Sequence, residues 1–277
     1  MAIPNRVRER MVAGLKRMLP IIQQQKTRDV SEADTVTLVK DLLADVFGYD
    51  KYAELTGELA IRGTYCDLAV RLADKFVELI EVKSIGSTLD DRHIKQAIDY
   101  GANQGIEWII LTNGVVWRLY QVIFAKPIDK RMLAEIDITA LDLRKDEHLD
   151  RLFIFTKEGF TKGAHIELMD RQDATSRYVL AALIQSNEAV ISTIRRELRR
   201  IVDVLVDDAL IVEVLRDEVI KRDCLDGPEA DSASRRVNKS APKPKAPTPI
   251  PLTAEKPVEQ SAPIPVLTAS AATEVVA

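Results

Sequence analysis

At Tyr52 the spacing of apolar residues changes from three and four to two, which restricts the chain to folds that combine helices with a sheet. Before that point, Ser31 stands as an N-cap, and Thr35, Leu38, Val39, Leu42, Leu43 and Val46 keep helical spacing until Gly48. This predicts a helix over about 32–47. After it come a strand near 55–62, a second near 65–72 and a third over 76–83, the order of a simple meander. Asp90 and Asp91 open a helix expected to run to about 104. Residues 108–111 and 115–120 then flank Thr112-Asn113-Gly114 as strand, turn and strand. The order α-β-β-β-α-β-β predicts an α/β protein with a mixed sheet flanked by helices.

The flanks differ in character. Val7, Met11, Leu15, Met18 and Ile22 recur at helical spacing over residues 5–26, and Pro20 predicts a break or kink late in that helix. Seven basic and two acidic side chains fall in residues 1–30, although the whole chain has a formal net charge of −4. Salt-sensitive contacts from Arg6, Arg10 and Arg17 to a phosphate backbone are expected there. From about 139 to 222 helical spacing returns, in three or four helices broken near Gly159, Gly163 and Asp173. Ile191, Ile194, Leu198, Ile201 and Leu205 follow the seam of a helix hairpin or short coiled coil through which an oligomer could form; a packed satellite helix reads equally well. Nine of the twelve prolines lie between Pro228 and Pro265 in a stretch without aromatic residues, so residues 227–277 read as a disordered tail. The expected units are therefore a basic helix (1–30), an α/β domain (31–138), a helical segment (139–226) and that tail. Residues 139–277 are the expected place for any protein partner.

Composition excludes several classes of function. Cys66 and Cys224 are too far apart in sequence to suggest a disulfide framework or a thiolate zinc site, which favours a reducing compartment and a cytoplasmic location. No apolar run approaches the length that spans a bilayer, and the N-terminus is basic where a signal peptide needs apolar residues, so no membrane partner is expected. The pattern GxxxxGK[ST] is absent, which removes the usual phosphate loop of a nucleotide-driven motor.

The third strand ends in Glu81-Val82-Lys83. Alternate strand residues share a face, so Glu81 and Lys83 project together, two rises of about 3.3 Å apart. The preceding strand can set Asp67 beside Glu81. Two adjacent carboxylates raise each other's pKa, and a divalent cation removes the conflict. Hard oxygen donors suit Mg²⁺, with Mn²⁺ as a substitute, and Lys83 can orient or help deprotonate a metal-bound water while the metal stabilises charge on a phosphoryl oxygen. Such a set suits hydrolysis of a phosphodiester. Charged residues at a strand end are the plainer reading of the same pattern.

Asp67, thirteen intervening residues and Glu81-Val82-Lys83 resemble the PD-(D/E)xK nuclease signature. Gln96-Ala97-Ile98-Asp99-Tyr100 on the next helix resembles the QxxxY motif in the N-terminal nuclease domain of type I restriction enzyme motor subunits. The resemblance covers about 30–125, including Ser31-Glu32-Ala33-Asp34-Thr35 and Phe47-Gly48-Tyr49-Asp50. It implies a restriction-endonuclease-like fold and a metal-dependent endonuclease acting on DNA in defence against foreign DNA. Asp67 and Glu81 would be the metal ligands, Lys83 catalytic, Glu32 an auxiliary acid, and Gln96 and Tyr100 would position substrate. Cys66 stands where the family often has proline, and Leu68 where it often has tyrosine; neither change removes a catalytic group. The family's ATPase motor is missing from this chain, so translocation-coupled cleavage is not expected of it alone. A non-catalytic DNA- or protein-binding module on the same fold is the alternative.

The other candidates are weaker. His93, one turn before Gln96, could reach phosphate, whereas His148 and His165 read as surface residues. Trp108 and Trp117 read as core. Arg195, Arg196, Arg199 and Arg200 form either a DNA-facing stripe or, with Glu197 and the aspartates that follow, a salt-bridged helix.

Overall fold

In the computed structural model, which describes residues 2–61 and 64–240, two helices precede the sheet: α1 (Asn5–Arg28) and α2 (Glu32–Asp45). They lead into β1 (Leu55–Ile61), β2 (Thr64–Leu72), β3 (Lys75–Val82), α3 (Asp91–Gln104), β4 (Trp108–Thr112), β5 (Val116–Ile123) and β6 (Asp129–Asp137). Then come α4 (Asp146–Phe153), α5 (Lys157–Thr161), α6 (Ala164–Ala174), α7 (Arg177–Ser186), α8 (Glu188–Val202) and α9 (Asp208–Val214). A π-helical turn over Leu215–Val219, a 3₁₀ turn over Arg222–Cys224 and α10 (Pro228–Ser240) complete the described chain.

The six strands lie in chain order in one mixed sheet. All neighbours are antiparallel except β3 and β4, which run parallel because α3 carries the chain back across the sheet. One core sits between the sheet and α1, α2 and α4, where Met11, Leu15, Leu42, Ile80, Trp117 and Leu152 meet. The other lies under α3, where Leu79, Ile109, Leu111 and Tyr120 meet Ile94, Ala97 and Tyr100. α1 packs tightly on α2 at Gly14, where an added Cβ would fall 2.5 Å from the Asp45 carbonyl oxygen.

The caps form as the sequence implies: the Ser31 hydroxyl accepts from the Asp34 N–H, and Asp90 caps α3. Five expectations change. α1 runs unbroken through Pro20, because Pro20 and Lys16, whose carbonyl loses its donor, are both exposed and no buried bond is lost. β6 is an additional strand. The segment after 139 is cut into more and shorter helices than expected. The seam through Ile191 stops at Asp203, which turns left-handed (φ 53°) and leaves Leu205 outside α8.

The last change concerns the tail reading of 227–277, which fails for residues 228–240. Pro228 occupies the first position of α10, where a missing N–H costs nothing, and Ala233 and Val237 pack with Ala182 of α7. Residues 241–277 lie outside the described residues. No helix of the described chain is long and apolar enough to cross a membrane.

Candidate active site

β3 is buried on both sides: Ile80 and Val82 face the α1/α2 core and Leu79 faces α3, and by alternation Glu78 belongs to the first face and Glu81 to the second. Leu68 of β2 pairs with Ile80, which brings Asp67 level with Glu81. The Val82 N–H donates to Asp67 Oδ2 at 2.7 Å, pinning that carboxylate to the strand that carries Glu81. Beyond β3, the Lys83 N–H donates to the Thr112 carbonyl of β4 at 2.8 Å. The Ile85 N–H donates to Thr35 Oγ1 of α2 at 3.1 Å. These bonds tie the strand end to its neighbour and to the first turn of α2, where Glu32 sits.

The charged side chains converge at that end. Lys83 Nζ lies 2.8 Å from Glu81 Oε1 and 3.4 Å from Glu32 Oε1. Exposure is graded: the Glu81 side chain is 9% exposed, Lys83 19% and Glu32 49%. Burial lifts the Glu81 pKa to about 7; the Lys83 contact opposes the rise, and the charges of Asp67 and Glu32 add to it. For Lys83, burial pulls downward, but Glu81, Glu32 and Asp67 outweigh it and the ammonium stands above its ordinary value. Lys83 is thus the shared cation of an otherwise repulsive acidic group.

Four sequence-derived candidates, Asp67, Glu81, Lys83 and Glu32, are brought together. Gln96 and Tyr100 do not behave as a pair. Gln96 is exposed on α3, whereas Tyr100 is 4% exposed in the apolar cluster with its hydroxyl buried and without a hydrogen-bond partner. Burial, then the neighbouring Cys66, raises the Tyr100 pKa. A direct substrate contact from Tyr100 is therefore not what this geometry offers.

Sequence reasoning missed two neighbours. Cys66 donates to the Leu68 and Ile80 carbonyls, and burial, followed by the charge on Glu81, pushes its thiol up to about 12, so it is a neutral packing group and not a thiolate. Thr35 is fully buried, and its hydroxyl also donates to the Ser31 carbonyl. A hydroxyl within the apolar stripe of α2 was the available signal.

Other candidates resolve away from the site. His93 Nδ1 accepts from the Asp90 N–H and closes the cap of α3. His165 is not a surface residue: it is buried between Phe160 and Trp108, and burial lowers its pKa to about 4. In α1, Arg10 forms a two-bond ion pair with Glu158 and also donates to the Val46 and Phe47 carbonyls. Arg17, although more exposed, pairs with Asp45, so two of the three arginines expected at phosphate have partners within the chain.

Among the described residues, no three His, Cys, Asp or Glu side chains gather into a ready metal cage; Glu32 is joined to Glu81 through the Lys83 ammonium. No family model, curated protein or solved structure matches the chain.

Proposed function

We propose that the chain is a metal-dependent endonuclease that hydrolyses DNA phosphodiester bonds, with a restriction-endonuclease-like arrangement of its sheet and a cytoplasmic role against foreign DNA. The observation that carries this reading is the convergence of Asp67, Glu81 and Lys83 at one end of adjoining strands, with Glu81 nearly buried. A carboxylate is costly to bury, and a lysine-bridged acidic group at a sheet end is better explained by chemistry than by stability.

Asp67 and Glu81 are hard oxygen donors that fit Mg²⁺ or Mn²⁺, ions that keep several waters and need only one or two carboxylates. When bound, the cation supplies charge stabilisation at a phosphoryl oxygen and a more acidic water. Lys83 holds a proton at Nζ within reach of Glu81 and can orient the attacking water, while Glu32 keeps the ammonium in place. Gln96, exposed on α3, is the remaining candidate for a substrate contact, and Tyr100 acts through the packing of α3.

The test is incubation of the purified chain with plasmid and short DNAs in Mg²⁺, Mn²⁺ or EDTA, beside Lys83→Ala. Cleavage with either metal, absent in EDTA and in the variant, supports the reading. Cleavage that survives EDTA, or a fully active Lys83→Ala, overturns it. A second reading, a binding module without turnover, is favoured by the fact that Lys83 already satisfies both Glu81 and Glu32 within the chain. DNA binding without metal-dependent cleavage would select it.

A further inference from the structure

Exposed apolar residues are unevenly distributed over the described chain. Seven of its sixteen exposed large apolar side chains fall within residues 201–219, with Leu205 at 75%, Ile201 at 68% and Val219 at 63% the most open. Single exposed apolar residues need no explanation, but a concentration of this kind marks a surface that is covered in the working protein. Leu210 and Val214 lie one turn apart on the same side of α9 and extend the patch begun by the end of α8.

Charge identifies what covers it. Arg195, Arg196, Arg199 and Arg200 make the α8 side basic, whereas from Asp203 to Glu218 there are six acidic residues and one base, Arg216. Internal pairing uses part of this charge: Arg195 meets Asp208 at 3.0 Å and Arg200 meets Glu197 at 2.7 Å. Arg199, Glu213 and Glu218 make no salt bridge among the described residues. DNA or an anionic bilayer would be repelled by the acidic half. A twofold axis, however, sets each half of a patch against the other half of its copy, so a surface whose α8 part is basic and whose α9 part is acidic, with the exposed apolar residues set among the acids, is complementary to itself.

We propose that residues 195–219 form an isologous surface through which two copies of this chain associate. The apolar residues supply the affinity and the opposed charges set the orientation.

Sedimentation equilibrium of the full chain at micromolar concentrations tests this. The expected result is a dimer that weakens with salt, and a dissociation constant raised roughly 100-fold or more by Leu205→Asp with Leu210→Asp, both exposed positions with little to lose in folding. A charge-swap experiment isolates the electrostatic half. A chain with Arg196→Glu and Arg199→Glu, and another with Glu213→Arg and Glu218→Arg, should each be monomeric alone and dimeric when mixed. A monomeric wild type overturns the proposal. If residues 201–219 of that monomer are then protected from hydrogen exchange, the chain's own residues 241–277 cover the patch; if unprotected, it serves a different protein. A dimer indifferent to the leucine substitutions, or a mixture that stays monomeric, overturns it as well.

Discussion

Strand β3 carries two buried carboxylates three residues apart, and the same physical cause, burial, lifts both to about 7. Glu78 faces the α1/α2 side, fully buried, where Oε2 accepts a 2.8 Å hydrogen bond from the Tyr49 hydroxyl. Glu81 lies at the strand end with Lys83 at 2.8 Å and Asp67 beside it. A carboxyl group served by a neutral hydroxyl can remain protonated and do nothing beyond filling its place. One that shares a cation with two other acids sits in a group that gains from a further positive charge. On the proposed function, the contrast separates a structural acid from a chemical one where the pKa alone does not.

The largest effect should come from the chemical side. Lys83→Ala should lower metal-dependent cleavage by at least about 100-fold while the chain stays folded, with a lowered melting temperature because the nearly buried Glu81 carboxyl loses its cation but no apolar core is lost. Asp67→Asn should act in the same direction, because it removes a ligand charge while its side-chain oxygen can still accept from the Val82 N–H. Plasmid cleavage beside thermal melts decides the matter; if both variants lose the fold together with activity, the distinction between the two acids collapses.

The structural side makes the opposite prediction. Unfolded, Glu78 titrates at its ordinary 4.5; folded, it does so at about 7. Between those values the unfolded chain has released its proton and the native chain keeps it, so stability present below about 4.5 is lost as pH rises to about 7 and then levels off. Glu78→Gln keeps an acceptor for Tyr49 and has no proton to lose. At pH 8 it should therefore be more stable than the parent by up to about 3 kcal/mol, with cleavage unaltered. Denaturant titrations at pH 5 and pH 8 measure this directly, and equal stabilities of variant and parent at both would refute it.

How much of this was legible follows from how local each feature is. Caps, alternation and the Glu81-Val82-Lys83 strand end are short-range patterns, and they place α2, β1 to β5 and α3 with the acidic group. β6 escapes because its register shifts between the Leu119 and Tyr120 pairings, leaving Leu133 as an extra residue. Its buried residues, Leu133 and Ile136, are then three apart, a spacing that does not read as a strand. His165 reads as exposed because its partner Trp108 lies 57 residues earlier in the chain. In the sequence the prolines read as one block, although only Pro228 belongs to α10 and the next is Pro242. The pairing of Arg10 is hidden for a similar reason: its charge is visible in the sequence, and Glu158, its distant partner, is not.

That last point yields the third prediction. Arg10 holds Glu158 through two bonds of 2.6 Å each and packs against Gly48, where φ is +85° and an added Cβ would fall 2.3 Å from the guanidinium carbon. Arg10→Ala strands a partly buried carboxylate and should cost about 2 kcal/mol of stability, while the salt dependence of DNA binding stays as it was. A flatter salt slope with unchanged stability would return Arg10 to the DNA and undo the division between structural and chemical charges.

The smallest effect lies where the two kinds of residue meet. Ser31 caps α2, its hydroxyl accepting from the Asp34 N–H at 3.2 Å and donating to Asp34 Oδ2 at 2.9 Å, and the next residue is Glu32. Ser31→Ala should cost about 1 kcal/mol, the usual value of a lost N-cap. The frayed first turn would also carry Glu32 away from Lys83, whose contact at 3.4 Å is already the longer of its two. Cleavage should then fall only a few-fold, far less than in Lys83→Ala, because Glu81 keeps its hold on the ammonium. Restoring the cap with Ser31→Asn, whose amide oxygen can accept from the Asp34 N–H while its NH₂ can donate to the Asp34 carboxylate, should recover both stability and rate. If stability returns without the rate, Ser31 acts in the site itself; if neither variant changes the rate, Glu32 has no part in the chemistry and the acidic group reduces to Asp67 and Glu81.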